Sequence, residues 1–178
     1  MLELQKFLQG GSTLEQLTEQ YGIKCGRSKA YPNLVLFKYD QIESPMGERI
    51  VQEARGIILD EKDNWRVVGR GFDKFFNSEE GHAAQIDWDT ARVQEKCDGS
   101  LILVYEYKGH WNIATTGSAD ASGEVFGFGF TFAELFARTY TTMVGAAEAA
   151  KYPGVPICPA LPTITDENKD ICFLFELM

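Results

Sequence analysis

The sequence is poor in the residues that hold metals and build cross-links. Its 178 residues include only two histidines, His82 and His110, and four cysteines, Cys25, Cys97, Cys158 and Cys172. No two cysteines stand in a CxxC spacing, which argues against a zinc site. A chain of this length without a secretion signal is not expected to carry a disulfide framework, so the cysteines read as thiols of a reducing compartment. The N-terminal MLELQKFLQGG lacks the basic-then-apolar layout of a signal peptide. No apolar run is long enough to cross a bilayer, and a cytoplasmic protein without a membrane partner is the expectation. Internal repeats and low-complexity segments are missing too. So is positive charge: the formal net charge is −9. Residues 1–76 carry 11 Lys/Arg against 11 Asp/Glu, while residues 77–178 carry 6 against 15. That distribution argues against nucleic-acid binding by bulk electrostatics and leaves room only for a local patch.

What is present is the composition of a globular domain, with 44% apolar and 24% charged residues, enough for one hydrophobic core. Ser12-Thr13-Leu14-Glu15 reads as a capping box and Gly22 as the end of the helix it opens, so residues 1–30 form a helical lead-in. Tyr31 to Asp40 and Ala54 to Leu59 read as strands. Trp65 to Gly69 returns after Glu61-Lys62-Asp63-Asn64 as a hairpin. Val93 to Lys96, Leu101 to Tyr107 and Trp111 to Thr116 complete a strand-rich middle, with Lys108-Gly109-His110 as a turn. Thr131 and Glu134 form a second capping box, followed by Phe132, Leu135, Phe136 and Tyr140 at helical spacing. Met143 to Lys151 is Ala-rich and helical, a loop with Pro153, Pro156, Pro159 and Pro162 follows, and Ile171 to Leu177 is a strand. The sum is an α+β fold with an antiparallel centre flanked by helices.

The chemistry gathers at Glu95-Lys96-Cys97-Asp98-Gly99-Ser100-Leu101. Alone, K-x-D-G is a weak signal, because Asp-Gly is a standard turn pair and Lys96 could be its solvated flank. Four other stretches stand in order around it. Ala54-Arg55-Gly56-Ile57-Ile58-Leu59 and Phe72-Asp73-Lys74-Phe75-Phe76-Asn77 precede it. Thr115-Thr116-Gly117-Ser118 and Phe173-Leu174-Phe175-Glu176-Leu177 follow. Each has a plain structural reading: a surface ion pair for Arg55, core packing for the phenylalanines, an edge-strand tip for Glu176. Their joint order is what carries weight.

That order resembles the covalent nucleotidyltransferases, whose nucleophile motif is K-x-D-G: RNA ligases, DNA ligases and capping enzymes. The ARGIIL and KFFN stretches and Lys96-Cys97-Asp98-Gly99-Ser100 are similar to the phage-type RNA ligase 1 family, with Cys97 the departure inside the motif. The resemblance runs from about Arg55 to the end. It implies an antiparallel-sheet, ATP-grasp-like ligase adenylyltransferase domain over residues 1–178, cut short after the third motif, FLFEL. It also implies ATP, Mg²⁺ or Mn²⁺, and RNA with 5′-phosphate and 3′-hydroxyl ends, tRNA among them. Lys96 would be the nucleophile that forms lysyl-AMP. Free lysine titrates near 10.4, so burial or neighbouring positive charge is expected around it.

By the same resemblance, Arg55, Lys74, Glu95, Cys97, Gly99 and Glu176 line the nucleotide site, and Glu176 serves the metal. Lys74 is assigned to the β- and γ-phosphates. Gly99 is expected to permit a tight turn and close approach of the nucleotide, Asp98 to hold that turn, and Cys97 to point away. Phe75 and Tyr105 are candidate adenine walls, though core packing is the first reading for both. Two departures stand out. The family carries a basic residue just before Gly-Ser, where this chain has Thr116, so a phosphate contact is missing or supplied from elsewhere. The Glu-Gly fourth motif and the lysine pair of the fifth do not follow Glu176. A non-catalytic, nucleotide- or RNA-binding relic therefore stays open beside the ligase, with DNA ligase or capping enzyme as a third reading.

Overall fold

The computed structural model describes residues 1–144 and 161–178. Cys158, the Ala-rich stretch beyond Val144, and Pro153, Pro156 and Pro159 lie outside the described residues. Two short helices open the chain, α1 (Glu3–Gln9) and α2 (Leu14–Tyr21). The cap of α2 is one residue later than the sequence suggests: Thr13 accepts from the Gln16 backbone N–H at 3.2 Å, and the Gln16 side chain covers the Thr13 N–H at 2.9 Å. Gly22 ends this helix in the left-handed conformation at φ 64°. The lead-in is not all helical, because Lys24–Arg27 forms strand β1.

The first sheet holds β1, β2 (Leu34–Lys38), β3 (Arg55–Asp60) and β4 (Arg66–Gly69) in that order, all antiparallel. A short helix α3 (Arg49–Glu53) leads into β3. The expected β3–β4 hairpin is present, with Asn64 and Trp65 in left-handed conformations in its loop. The second sheet has the order β6-β5-β9, from β5 (Ser100–Tyr107), β6 (His110–Thr115) and β9 (Phe173–Leu177). Lys108 (φ 54°) and Gly109 (φ 79°) make the two-residue turn between β5 and β6. A small ribbon, β7 (Glu124–Val125) with β8 (Phe130–Thr131), precedes α4 (Phe132–Val144). The second capping box is present: Glu134 accepts from the Thr131 backbone N–H at 2.8 Å, and Thr131 Oγ1 accepts from the Glu134 N–H.

Strand alternation sorts the apolar residues into layers. Val35, Phe37, Ile57 and Leu59 face α1, α2 and α3. Leu34, Leu36 and Ile58 face the other way and meet Leu103, Tyr105 and Tyr107 of the second sheet. Ile102, Val104 and Ile113 on that sheet's far face pack against Phe136 of α4 and Phe173 and Phe175 of β9. β2, β3 and β5 are covered on both faces, which is why they read as continuous apolar runs. Val93 to Lys96 is a correction. No strand forms there, and Val93 is 93% exposed, because no strand of either sheet runs alongside to pair with it.

Candidate functional site

The two sheets pack through the Leu36–Ile58–Leu103 layer and open at one end into a cavity of about 920 Å³. The C-terminal ends of β2 and β6, the start of β3, the segment before β5 and the last residues of β9 surround it. Seven separate stretches of sequence therefore converge there, the Phe72–Phe75 segment and Phe132 among them. Lys96 and its neighbours Glu95, Cys97 and Gly99 line it, together with Arg55 and Glu176. These are six of the seven residues singled out from the sequence.

Arg55 sits half-buried at the first position of β3. One Nη donates to the Asp73 carbonyl at 3.3 Å, and its guanidinium lies 4.3 Å from the centre of the Phe75 ring. The Asp73 carboxylate is taken up by others: Arg49 at 2.6 Å and Arg70 at 2.7 Å. Burial alone would raise the Asp73 carboxyl, but the bonds from Arg70 and Arg49 prevail and hold it below the usual range. Asp73 thus pins the 72–76 segment and leaves the Arg55 guanidinium without a carboxylate partner among the described residues. Phe75, 55% exposed, is on the cavity wall and not in the core.

Glu176 reaches the cavity by alternation. Phe173, Phe175 and Leu177 face α4, while Leu174 and Glu176 lie on the opposite face of β9. Backbone pairing of Leu101 with Glu176 sets this strand beside the Lys96 segment. Gly99 meets a demand beyond those expected. Its φ is not positive, so it is not there for a left-handed turn. A Cβ at this position would stand 2.3 Å from the Leu177 carbonyl oxygen and 3.3 Å from Glu176 Cγ. The glycine is required by the close approach of β9.

Other expectations are corrected. Lys96 is exposed in an irregular segment, with Nζ donating to the Cys97 carbonyl at 3.3 Å, so it is not set between strands. The cations that accompany it, Arg55 and Lys38, are what remains of the expected surroundings. Cys97 is on the cavity wall. Asp98 is exposed and makes no side-chain hydrogen bond among the described residues. Tyr105 is core: it is 1% exposed, donates to the Ala119 carbonyl at 2.8 Å, and burial raises its hydroxyl well above the usual range. Lys74 lies apart, in a separate depression with His82 and Glu80, its Nζ 4.5 Å from the centre of the Phe76 ring and 2.7 Å from the Phe75 carbonyl. Lys74 and Phe76 line that depression, whereas Phe75 lines the cavity with Lys96.

Sequence reasoning missed Lys38, Phe72 and Phe132, which also line the cavity. Lys38 closes β2 on the same face as Leu34 and Leu36. The alternation LVLFK could have placed it, but only once the sheet's other face was known to be covered. Among the described residues no group of three or more His, Cys, Asp or Glu side chains is placed to hold a metal. Cys25, Cys97 and Cys172 are free thiols, and burial pushes Cys25 up to about 11. No described helix is long and apolar enough to cross a membrane.

Cations and aromatic rings on one cleft between two antiparallel sheets define an α+β protein with room for an anionic, ring-bearing ligand. The RNA ligase family matches residues 53–147, which hold Arg55 and the whole Lys96 segment. The chain belongs to the phage-type RNA ligase 1 family. It is similar to an RNA ligase of Rhodothermus phage RM378, 28% identical over 180 residues, covering 88% of this chain and 38% of that protein. It is also similar to a protein of Autographa californica nuclear polyhedrosis virus that carries the name bifunctional polynucleotide kinase/RNA ligase. That match is 31% identical over 131 residues, covering 68% of this chain and 18% of that one. The chain therefore spans well under half the length of these relatives.

Proposed function

We propose that this chain carries the adenylylation site of an ATP-dependent RNA ligase, with Lys96 as the nucleophile. The observation that supports it best is the convergence of Lys96, Arg55 and Glu176 on one cavity from three separate stretches of sequence. About 920 Å³ is ample for a nucleotide. Phe72, Phe75 and Phe132 offer apolar surface for a base, and Arg55 a planar donor for phosphate oxygens.

In the proposed step the unprotonated Nζ of Lys96 attacks the α-phosphorus of ATP. An N–P bond forms, the α–β phosphoanhydride bond breaks, and pyrophosphate leaves with the bonding pair. The amine proton passes to solvent. Lys96 Nζ is accessible for this, and Arg55 offsets charge on the phosphates as it develops. The AMP would then move to an RNA 5′-phosphate, and attack by a 3′-hydroxyl would join the ends and release AMP. A divalent ion fits the donor set in one way only. Glu95 and Glu176 can supply one or two carboxylates, the rest coming from phosphate oxygens and water, as Mg²⁺ accepts. Such an ion would neutralise phosphate charge.

The exposure of Lys96 favours one second reading, a module that binds nucleotide without transferring it. Intact mass of the protein before and after ATP with Mg²⁺ separates the two. A gain of one AMP that is lost in Lys96→Ala is the expected result. ATP binding with no mass gain would support the second reading, and an adduct retained in Lys96→Ala would remove Lys96 from the mechanism.

A further inference from the structure

Lys38 and Arg55 are directly opposed across the β2–β3 pair, in register as Cα partners. Like charges in that relation destabilise a sheet unless something of opposite sign lies between them or the side chains splay apart. Neither has a carboxylate within ion-pair distance among the described residues. Lys38 is exposed on the cavity wall, and its Nζ would lie 3.9 Å from a Cβ built at Gly117. Lys24, the other lysine in the strands of the first sheet, pairs with Asp40 at 2.6 Å.

The loop that carries Gly117 is held against this cation pair by a specific contact. Gly56, the second residue of β3, has φ 80°, and a Cβ there would stand 2.8 Å from the Thr116 Cα. The start of β3 and the Thr115–Ser118 turn therefore touch backbone to backbone. That turn is closed by the Thr115 N–H donating to the Ser118 carbonyl at 2.9 Å. Position 116 carries no charge, yet a cation reaches the adjacent space from the other sheet. A register irregularity lies between Phe37 and Lys38: Phe37 pairs with Ile57 and Lys38 with Arg55, which leaves Gly56 as the extra residue on β3.

We infer that Lys38 is a nucleotide-phosphate ligand of this site, which places beside the Thr116–Gly117 turn the positive charge that the turn itself lacks. Lys38 and Arg55 then form a two-pronged anion clamp on the wall formed by β2 and β3. The inference rests on the nucleotide-binding reading of the cavity, but not on transfer of AMP to Lys96. Glu95 and Glu176 also face the cavity, so the clamp is selective for a ligand whose phosphates lie on the β2–β3 side.

The test is equilibrium binding of ATP and of adenosine to the 178-residue chain, followed by protein fluorescence, in the wild type, Lys38→Ala and Lys38→Ala/Thr116→Lys. Loss of one charge-assisted contact should weaken ATP about tenfold or more and leave adenosine unchanged. The double variant, with its cation moved onto the turn, should recover most of the ATP affinity. A structural role for Lys38 would weaken both ligands alike, and the double variant would not recover. Unchanged ATP affinity in Lys38→Ala overturns the proposal, and so does a wild type that fails to bind ATP. Normal ATP binding with no AMP adduct would instead count against the ligase step and leave the Lys38 assignment standing.

Discussion

At the level of single residues, Gly99 shows how a motif letter can be legible and its reason not. The sequence points to a glycine that lets a nucleotide come close, and the structure adds a demand from β9: a Cβ here would stand 2.3 Å from the Leu177 carbonyl oxygen. Gly99→Ala must push back the Leu177 backbone, which is not a flexible side chain, at a cost of about 1–3 kcal/mol. The expected outcome is faster amide hydrogen exchange in Phe173–Leu177 with unchanged exchange in β2 and β3. Full protection of β9 alongside weaker ATP binding would restore the nucleotide-contact account. The six motif residues that share the cavity were readable because their types and order are tied to chemistry. Lys38 was not, because a lysine ending an apolar strand looks like any strand end until its neighbours across the sheet are known.

Among the elements, the join between the two sheets depends on a buried polar cluster as well as on apolar packing. Asp60, at the end of β3 and 5% exposed, accepts from Asn33 Nδ2 and Tyr107 Oη at 2.7 Å each and from the Lys62 backbone N–H at 3.0 Å. Burial alone would raise its carboxyl, but these donors prevail and hold it below the usual range. A carboxyl lowered by folding stabilises the protein above its unfolded value, near 4, and that contribution is lost as pH falls through the folded value. Tyr107→Phe removes the donor that comes from the second sheet, and should cost about 1.5–3 kcal/mol at neutral pH. Thermal melts from pH 7 down to pH 3 should also show a shallower loss of Tm in the variant. Parallel curves would mean that Tyr107 contributes packing alone. The strands that build this join were legible from their apolar runs. β1 was not: it reads Lys-Cys-Gly-Arg, a polar edge strand with a glycine, inside a stretch expected to be helical. Val93 to Lys96 was misread because alternation alone cannot show whether a pairing partner exists.

For the whole molecule, the question is how a protein of net charge −9 meets a polyanion. Its cavity gathers Lys38, Arg55 and Lys96 against Glu95 and Glu176, a local excess too small to draw RNA from a distance. ATP, held at close range by the same cations, does not need that long-range field. The curated relatives extend far beyond the matched segment, and in the proposed reading the grip on RNA comes from regions such as those. These 178 residues should therefore bind a single-stranded RNA weakly. If no more than the three cavity cations meet phosphates, the dependence of log affinity on log salt should be no steeper than about −2. A filter-binding titration at several salt concentrations measures both quantities. Tight binding with a steep slope would require a basic surface outside the cavity, and would shift RNA recognition onto this chain.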